Sequence, residues 1–173
     1  QSLLVKILKV YSNTTFSDIT SLVVTETMQV IADNSRDVLL DAAGGSFTDV
    51  KLLEVKAGSG SGSAAVSAIG PNISIEELRV TSEGTNTGTP TLDIGDNGMT
   101  VRNITLKDDG SESSTPTFKA GSGTIVVTGN IVVSGSADSP TVSFSPANDS
   151  EIPCEVILAG DTSQAISLDK GVN

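Results

Sequence analysis

Pairs of apolar residues separated by one position recur along the chain at a nearly constant interval. Leu3/Val5, Met28/Val30, Leu53/Val55, Leu78/Val80, Ile104/Leu106, Ile131/Val133 and Val156/Leu158 form one series, A, whose members step by 25 to 27 residues. A second series, B, follows each A pair after a polar loop: Leu40/Ala42, Val66/Ala68, Leu92/Ile94, Phe118/Ala120, Val142/Phe144 and Ile166/Leu168, with Phe16 beginning it one repeat earlier. A third, C, runs Leu22, Phe47, Ile73, Met99, Ile125 and Ile152, each followed two residues later by Val24, Asp49, Ile75, Val101, Val127 and Cys154. Asp49 breaks the alternation, and Val50 replaces it if the strand carries a one-residue bulge.

Alternation with period two is the mark of a strand that buries one face. Three such strands sharing one period predict a solenoid, because a single coil of short strands cannot bury its own inner face and must rest on the next. The expected fold is all-β: a single-stranded, right-handed parallel β-helix of about seven coils of 24–27 residues, with three short strands per coil. Residues 1–173 are expected to form a single β-helix domain, uncapped at one or both ends. Inward residues then form columns such as Leu53–Leu78–Ile104–Ile131. At about 4.8 Å per rung, seven coils span about 34 Å.

Composition agrees with many short strands and turns. Ser and Thr number 43 and Gly 17 in 173 residues, whereas aromatic residues make up 3% and Trp is absent. The net charge of −11, with ten Lys and Arg that form no cluster, predicts no nucleic-acid partner and disfavours anionic membrane surfaces. No apolar run approaches a membrane span, so no membrane insertion is expected. The opening QSLLVKILKV lacks the basic-apolar-small order of a signal peptide. The acidic, Ser/Thr-rich composition leads us to expect a chain outside the cell or at a cell surface. Cys154 is the single cysteine, so no intrachain disulfide forms.

The coil length and the three phased series resemble the pectate-lyase-like right-handed β-helix superfamily and the passenger shafts of autotransporter adhesins. The resemblance covers nearly the whole chain and is one of architecture. It implies polysaccharide lyases and hydrolases, phage tailspikes, adhesins and structural filaments as function classes, among which fold alone does not choose.

The residues favour a non-enzymatic role. Histidine is absent, which removes Ser-His and Cys-His catalysis and the usual neutral-pH base. The superfamily's hydrolases use clustered aspartates, and Asp108-Asp109 resembles that pattern, but it is placed here in the loop DDGSESST between strands A and B. Arg79, at an outward A position, is expected to pair with Glu54 across neighbouring coils. Asp33, Asp37, Glu83, Asp108, Asp109, Glu112, Asp138 and Asp161 are expected to line one acidic edge of A–B loops, without the ligand spacing of a calcium loop. No catalytic, cofactor-binding or metal-binding residue is assigned, and no cofactor is expected. Four sequons, at Asn13, Asn72, Asn103 and Asn148, are candidate glycosylation sites.

The outward aliphatic residues Leu4, Val132 and Ile157 stand out as candidate assembly contacts, because exposed aliphatic side chains suggest contact surfaces. Two explanations are open: the sequence is a piece of a longer solenoid, or copies of the chain associate end to end or laterally, with a glycan or cell-surface partner also open. The expected function is an extracellular structural or adhesive β-helix that self-assembles into a filament, fibre or surface shaft. The alternative is a carbohydrate-binding or carbohydrate-cleaving β-helix, such as a tailspike or polysaccharide-lyase-like fragment.

Overall fold

The computed structural model describes residues 2–15, 21–33, 36–42, 45, 47–58, 60–67, 69–84, 87–109, 114–135 and 155–168. Among them every regular element is a strand, and every strand pairing is parallel. Numbered along the chain, the strands are β1 (Ser2–Val10), β2 (Thr14–Thr15), β3 (Ser21–Ala32), β4 (Val38–Asp41), β5 (Val50–Ala57), β6 (Ala64–Ser67), β7 (Ile73–Glu83), β8 (Thr91–Asp93), β9 (Met99–Asp109), β10 (Thr117–Lys119), β11 (Thr124–Val127), β12 (Ile131–Gly135), β13 (Glu155–Leu158) and β14 (Ile166–Leu168). They form two sheets, one of nine strands and one of five. The class is a right-handed parallel β-helix, the hand that parallel crossovers favour.

The central columns follow from the alternation. Met28, Leu53, Leu78, Ile104 and Ile131 are successive register partners, as are Val30, Val55, Val80, Leu106 and Val133. Leu40, Val66, Leu92 and Phe118 stack in the smaller sheet. Ile73, Met99 and Ile125 stack in the larger one. All of these residues are buried and belong to one core cluster. Each aliphatic side chain so buried contributes about 1.5–3 kcal/mol relative to exposure.

Four expectations about the coils change. Strands C and A are continuous in β1, β3, β7 and β9, each of which runs through both positions, whereas β11/β12 and β13/β14 keep them separate. Among the described residues five coils contribute to both sheets, spanning about four turns, and the larger sheet continues for two further rungs, β11/β12 and β13/β14. At the N-terminal end Leu3 and Val5 oppose Leu22 and Val24, whereas Leu8 and Val10 oppose Met28 and Val30. Leu3/Val5 therefore belongs to series C. The step from Leu3 to Leu22 is 19 residues, shorter than the central period. At the other end Val156 and Leu158 oppose Ile125 and Val127, and Ile166 and Leu168 oppose Ile131 and Val133. Val156/Leu158 is thus C and Ile166/Leu168 is A, displaced by steps of 31 and 35 residues. Phe16, Ala68, Val142, Phe144, Ile152 and Cys154 lie outside the described residues.

Val50 takes the place that Asp49 vacates. Val50 is buried and opposes Ile75, while Asp49 is exposed with φ of 57°. Asp tolerates this left-handed backbone because its short polar side chain makes local hydrogen bonds, whereas a β-branched residue does not. Asp49→Val, which restores the apolar period, is therefore expected to destabilise the fold by about 1–2 kcal/mol in denaturant titration. Asn72, at φ of 65°, and Gly95, at 58°, supply the same conformation at later corners.

Polar side chains tie successive corners together. Asn13 Oδ1 accepts from Leu39 N (2.9 Å), Asp37 Oδ1 from Ser63 N (2.9 Å), Ser63 Oγ from Thr89 N (3.0 Å), Asp96 Oδ1 from Ser122 N (3.0 Å), Asn103 Oδ1 from Asn130 N (2.8 Å) and Asn130 Oδ1 from Ala165 N (2.9 Å). At a corner the backbone turns away from the ladder, and a short Asn, Asp or Ser replaces the missing carbonyl of the coil below.

Candidate assembly surface

Only some of the acidic residues singled out above share an edge: Asp33 and Glu83 both act on the Lys56 ammonium, and the rest are placed differently. Asp108 is buried within β9 rather than lying in a loop, where its Oδ1 accepts from Ser82 Oγ at 2.5 Å. Asp109 also lies in β9, opposite Glu83. Glu83 pairs with Lys56 at 2.6 Å, and Asp37 binds the backbone of Ser63. Asp161 sits between β13 and β14, a C–A corner, so it is not on the A–B edge. Glu112 and Asp138 lie outside the described residues, among which no group of three His, Cys, Asp or Glu side chains is arranged to hold a metal. Glu54 accepts from Gln29 Nε2 (2.6 Å) rather than from Arg79, its register neighbour on the other side, and the ion pairs among the described residues lie elsewhere.

Three sequons fall on described residues. The Asn103 amide is engaged on both sides, since its Nδ2 donates to Glu77 while its Oδ1 holds Asn130 N. Asn13 Oδ1 caps Leu39 N. Asn72 is exposed at its left-handed corner. Asn148 lies outside the described residues.

Two ion pairs set local charge. The hydrogen bond from Lys6, at 2.9 Å, holds the Glu26 carboxyl below its ordinary value. The hydrogen bond to Glu83 raises the Lys56 ammonium above its ordinary 10.5, with partial burial opposing it. A raised ammonium value gives stability that is fully present below 10.5 and is lost as pH rises through the folded value. Lys56→Met is accordingly expected to lower stability by less than about 1 kcal/mol at neutral pH. Thermal melts should show the gap closing in strongly alkaline buffer.

The ends of the larger sheet differ from its middle. In the last rung the inward positions are open: Val156 is 39% exposed, Leu158 45% and Ile166 53%. Their partners one rung earlier, Ile125, Val127 and Ile131, are buried. In the first rung Leu3, Val5 and Leu8 are half-buried against the core. On the outer face Leu4 is 71% exposed beside Val23, and Ile157 is 40% exposed beside Val126. Between these pairs the same outward ladder carries Ser74 and Thr100. Leu4 and Ile157 thus occupy C positions at opposite ends, a correction to their placement in series A. Val132 is an outward A residue between Thr105 and Ser167, one rung short of the end.

The alternation of residues gives no hint that Ile166 closes the A column, because it suits a B strand equally well. Nor does it show the cleft of about 490 Å³ lined by Tyr11, Ile31, Asp33 and Arg36, which gathers residues from two coils.

Parallel coils around one aliphatic core define a β-helix, and the exposed aliphatic residues of its outer face, Leu4, Val132 and Ile157, make its candidate assembly surface. No protein-family model, no curated protein and no solved structure matches the chain.

Proposed function

We propose that this chain is a non-enzymatic structural or adhesive β-helix of the extracellular space, a cell surface or a virion, and that it works by self-association into a shaft or filament. The observation that supports this reading is the set of aliphatic side chains exposed on the outer face, Leu4, Val132 and Ile157. Covering such side chains with another copy removes apolar surface from water, which is favourable. A continuous hydrogen-bonded stack also suits a mechanical role, because it has few exposed backbone segments to open locally. The lack of histidine in the whole chain supports the non-enzymatic part. Light scattering across a concentration series, with electron microscopy, tests the reading. Growing rod-like particles are expected, and a monomer that stays monodisperse at high concentration contradicts it.

A second reading, carbohydrate binding, draws on the cleft at Tyr11. It pairs the chain's one tyrosine with Asp33 and Arg36, and an aromatic face beside polar groups suits a sugar ring. Titration with a panel of glycans, comparing Tyr11→Ala with the unaltered chain, separates this reading from the first.

A further inference from the structure

We propose that Asn72 carries an N-linked glycan and that its first sugar lies in the groove beside it. The inference rests on the extracellular placement proposed above, because a chain meets the sugar donor on its way out of a cell. Three observations lead to it.

The first is what each sequon amide already does. Glycosylation replaces a hydrogen of Nδ2, so that nitrogen must be reachable. Asn103 is half-buried, its Nδ2 donates to Glu77, its Oδ1 accepts from Asn130 N at 2.8 Å, and a Cβ on Gly129 would strike that oxygen. A sugar has no room there. Asn13 is tied through its Oδ1 to Leu39 N. Asn72 is exposed at the corner after Pro71, and its side chain makes no hydrogen bond among the described residues.

The second is Ser74, which completes the sequon Asn72-Ile73-Ser74. The left-handed corner, at φ of 65°, accounts for an asparagine at position 72. It does not account for the serine. Ser74 sits on the outward C ladder beside Thr100, and its hydroxyl makes no hydrogen bond among the described residues. No bond among them calls for a hydroxyl at that position, whereas the sugar transfer does.

The third is the surface. Pro71, Asn72, Gly98, Thr100, Thr124 and Val126 line a groove of about 360 Å³. Ile73 and Met99 are register partners, which sets Gly98, with no side chain, next to Asn72 in the following coil. Pro71 and Val126 supply apolar faces and Thr100 a hydroxyl, a mixture that suits a pyranose ring. In the transfer, Asn72 Nδ2 attacks the anomeric carbon of an oligosaccharide carried on a polyprenyl diphosphate. The new C–N bond replaces the C–O bond to the diphosphate, which leaves with the electron pair, and Nδ2 loses one proton.

Two experiments test the inference. In the first, the full chain is secreted from a eukaryotic host behind an added leader. Each asparagine is then read by mass spectrometry after enzymatic release of glycans in heavy-oxygen water. Asn72 is expected to be marked and Asn103 to stay bare. A bare Asn72, or a marked Asn103 in the folded product, overturns the inference. The leader imposes secretion, so this result is independent of where the chain naturally resides, and the scattering series described above judges self-association separately. The second experiment needs no secretion. Asn72→Cys on a Cys154→Ser background is coupled in the folded state to an iodoacetamide derivative of N-acetylglucosamine. Coupling is expected to be complete and to raise the melting temperature by about 2–4 °C, the shift of a modest added contact in a chain of this size. Coupled and uncoupled forms of one variant are compared, so the strain of a cysteine at a left-handed corner cancels. Thr100→Arg, an exposed position whose new side chain fills the groove, should remove the rise. Failure of the folded chain to couple overturns the accessibility of position 72. No rise on coupling, or a rise that survives Thr100→Arg, overturns the seat in the groove.

Discussion

Leu78→Asp is expected to leave the chain unfolded at room temperature. Leu78 is fully buried, and its register partners are Leu53 below and Ile104 above. Loss of the leucine alone costs about 2–5 kcal/mol through lost burial and the cavity left behind. A carboxylate in that column meets only hydrocarbon, which adds several kcal/mol or forces the acid to stay protonated. Together these reach about the whole stability of an ordinary domain, 5–15 kcal/mol. Thr105→Asp makes the control, since Thr105 points outward from the neighbouring strand beside Arg79. It is expected to stay within about 0.5 kcal/mol of the unaltered chain. Circular dichroism and denaturant titration of both variants decide the matter. Equal behaviour of the two would mean that Leu78 does not face the interior.

Gly62→Val has the second largest expected effect, because position 62 lies against the main chain of the coil before it. A Cβ there would stand 2.7 Å from both the N and C atoms of Arg36 and closer still to its carbonyl oxygen. Main-chain atoms cannot swing aside as a side chain does, so the two coils must part. Val38 N donates to Ser63 O at 2.9 Å and Ser63 N to Asp37 Oδ1 at 2.9 Å, and both bonds bridge that contact. Strain of about 1–3 kcal/mol, with the loss of one or two hydrogen bonds at about 1 kcal/mol each, gives a deficit of about 2–5 kcal/mol. The clash is with backbone, so Arg36→Ala is not expected to rescue the variant. Rescue by Arg36→Ala in a thermal melt would show that the contact is with the side chain instead.

The centre of the solenoid is legible in the residues, and its ends are not. Leu53, Leu78, Ile104 and Ile131 can be stacked on paper because the loops between them hardly vary in length, so counting from one apolar pair reaches the next. Asp49 is legible for the same reason: a valine one position out of step implies one extra residue in the strand. At β1 counting fails, because Leu3/Val5 and Leu8/Val10 are equally good apolar pairs. Alternation tells which residues face inward but not which rung they meet. The shorter return from Leu3 to Leu22 and the longer one from Ile131 to Ile166 then shift the phase, turning Val156/Leu158 from A into C. The merging of C and A into one strand leaves no trace either, since the pairing skips a single position there and the chain needs no turn residue. Leu4 and Ile157 are legible as exposed aliphatics, but that they lie on one ladder at opposite ends emerges only once the register is known. Tyr11, Asp33 and Arg36 meet only through the stacking of two coils.

A distance between two outward positions far apart in sequence tests the stacking of coils most directly. Gln29 and Val132 lie on one outward ladder, linked through Glu54, Arg79 and Thr105, and are therefore four rungs apart. Spin labels at 29 and 132 on a Cys154→Ser background, diluted with unlabelled chain and read by pulsed dipolar spectroscopy, should report one narrow distribution about a Cα separation of ~19 Å. A broad distribution, or a mean beyond about 40 Å, which label length cannot explain, would contradict the parallel stack.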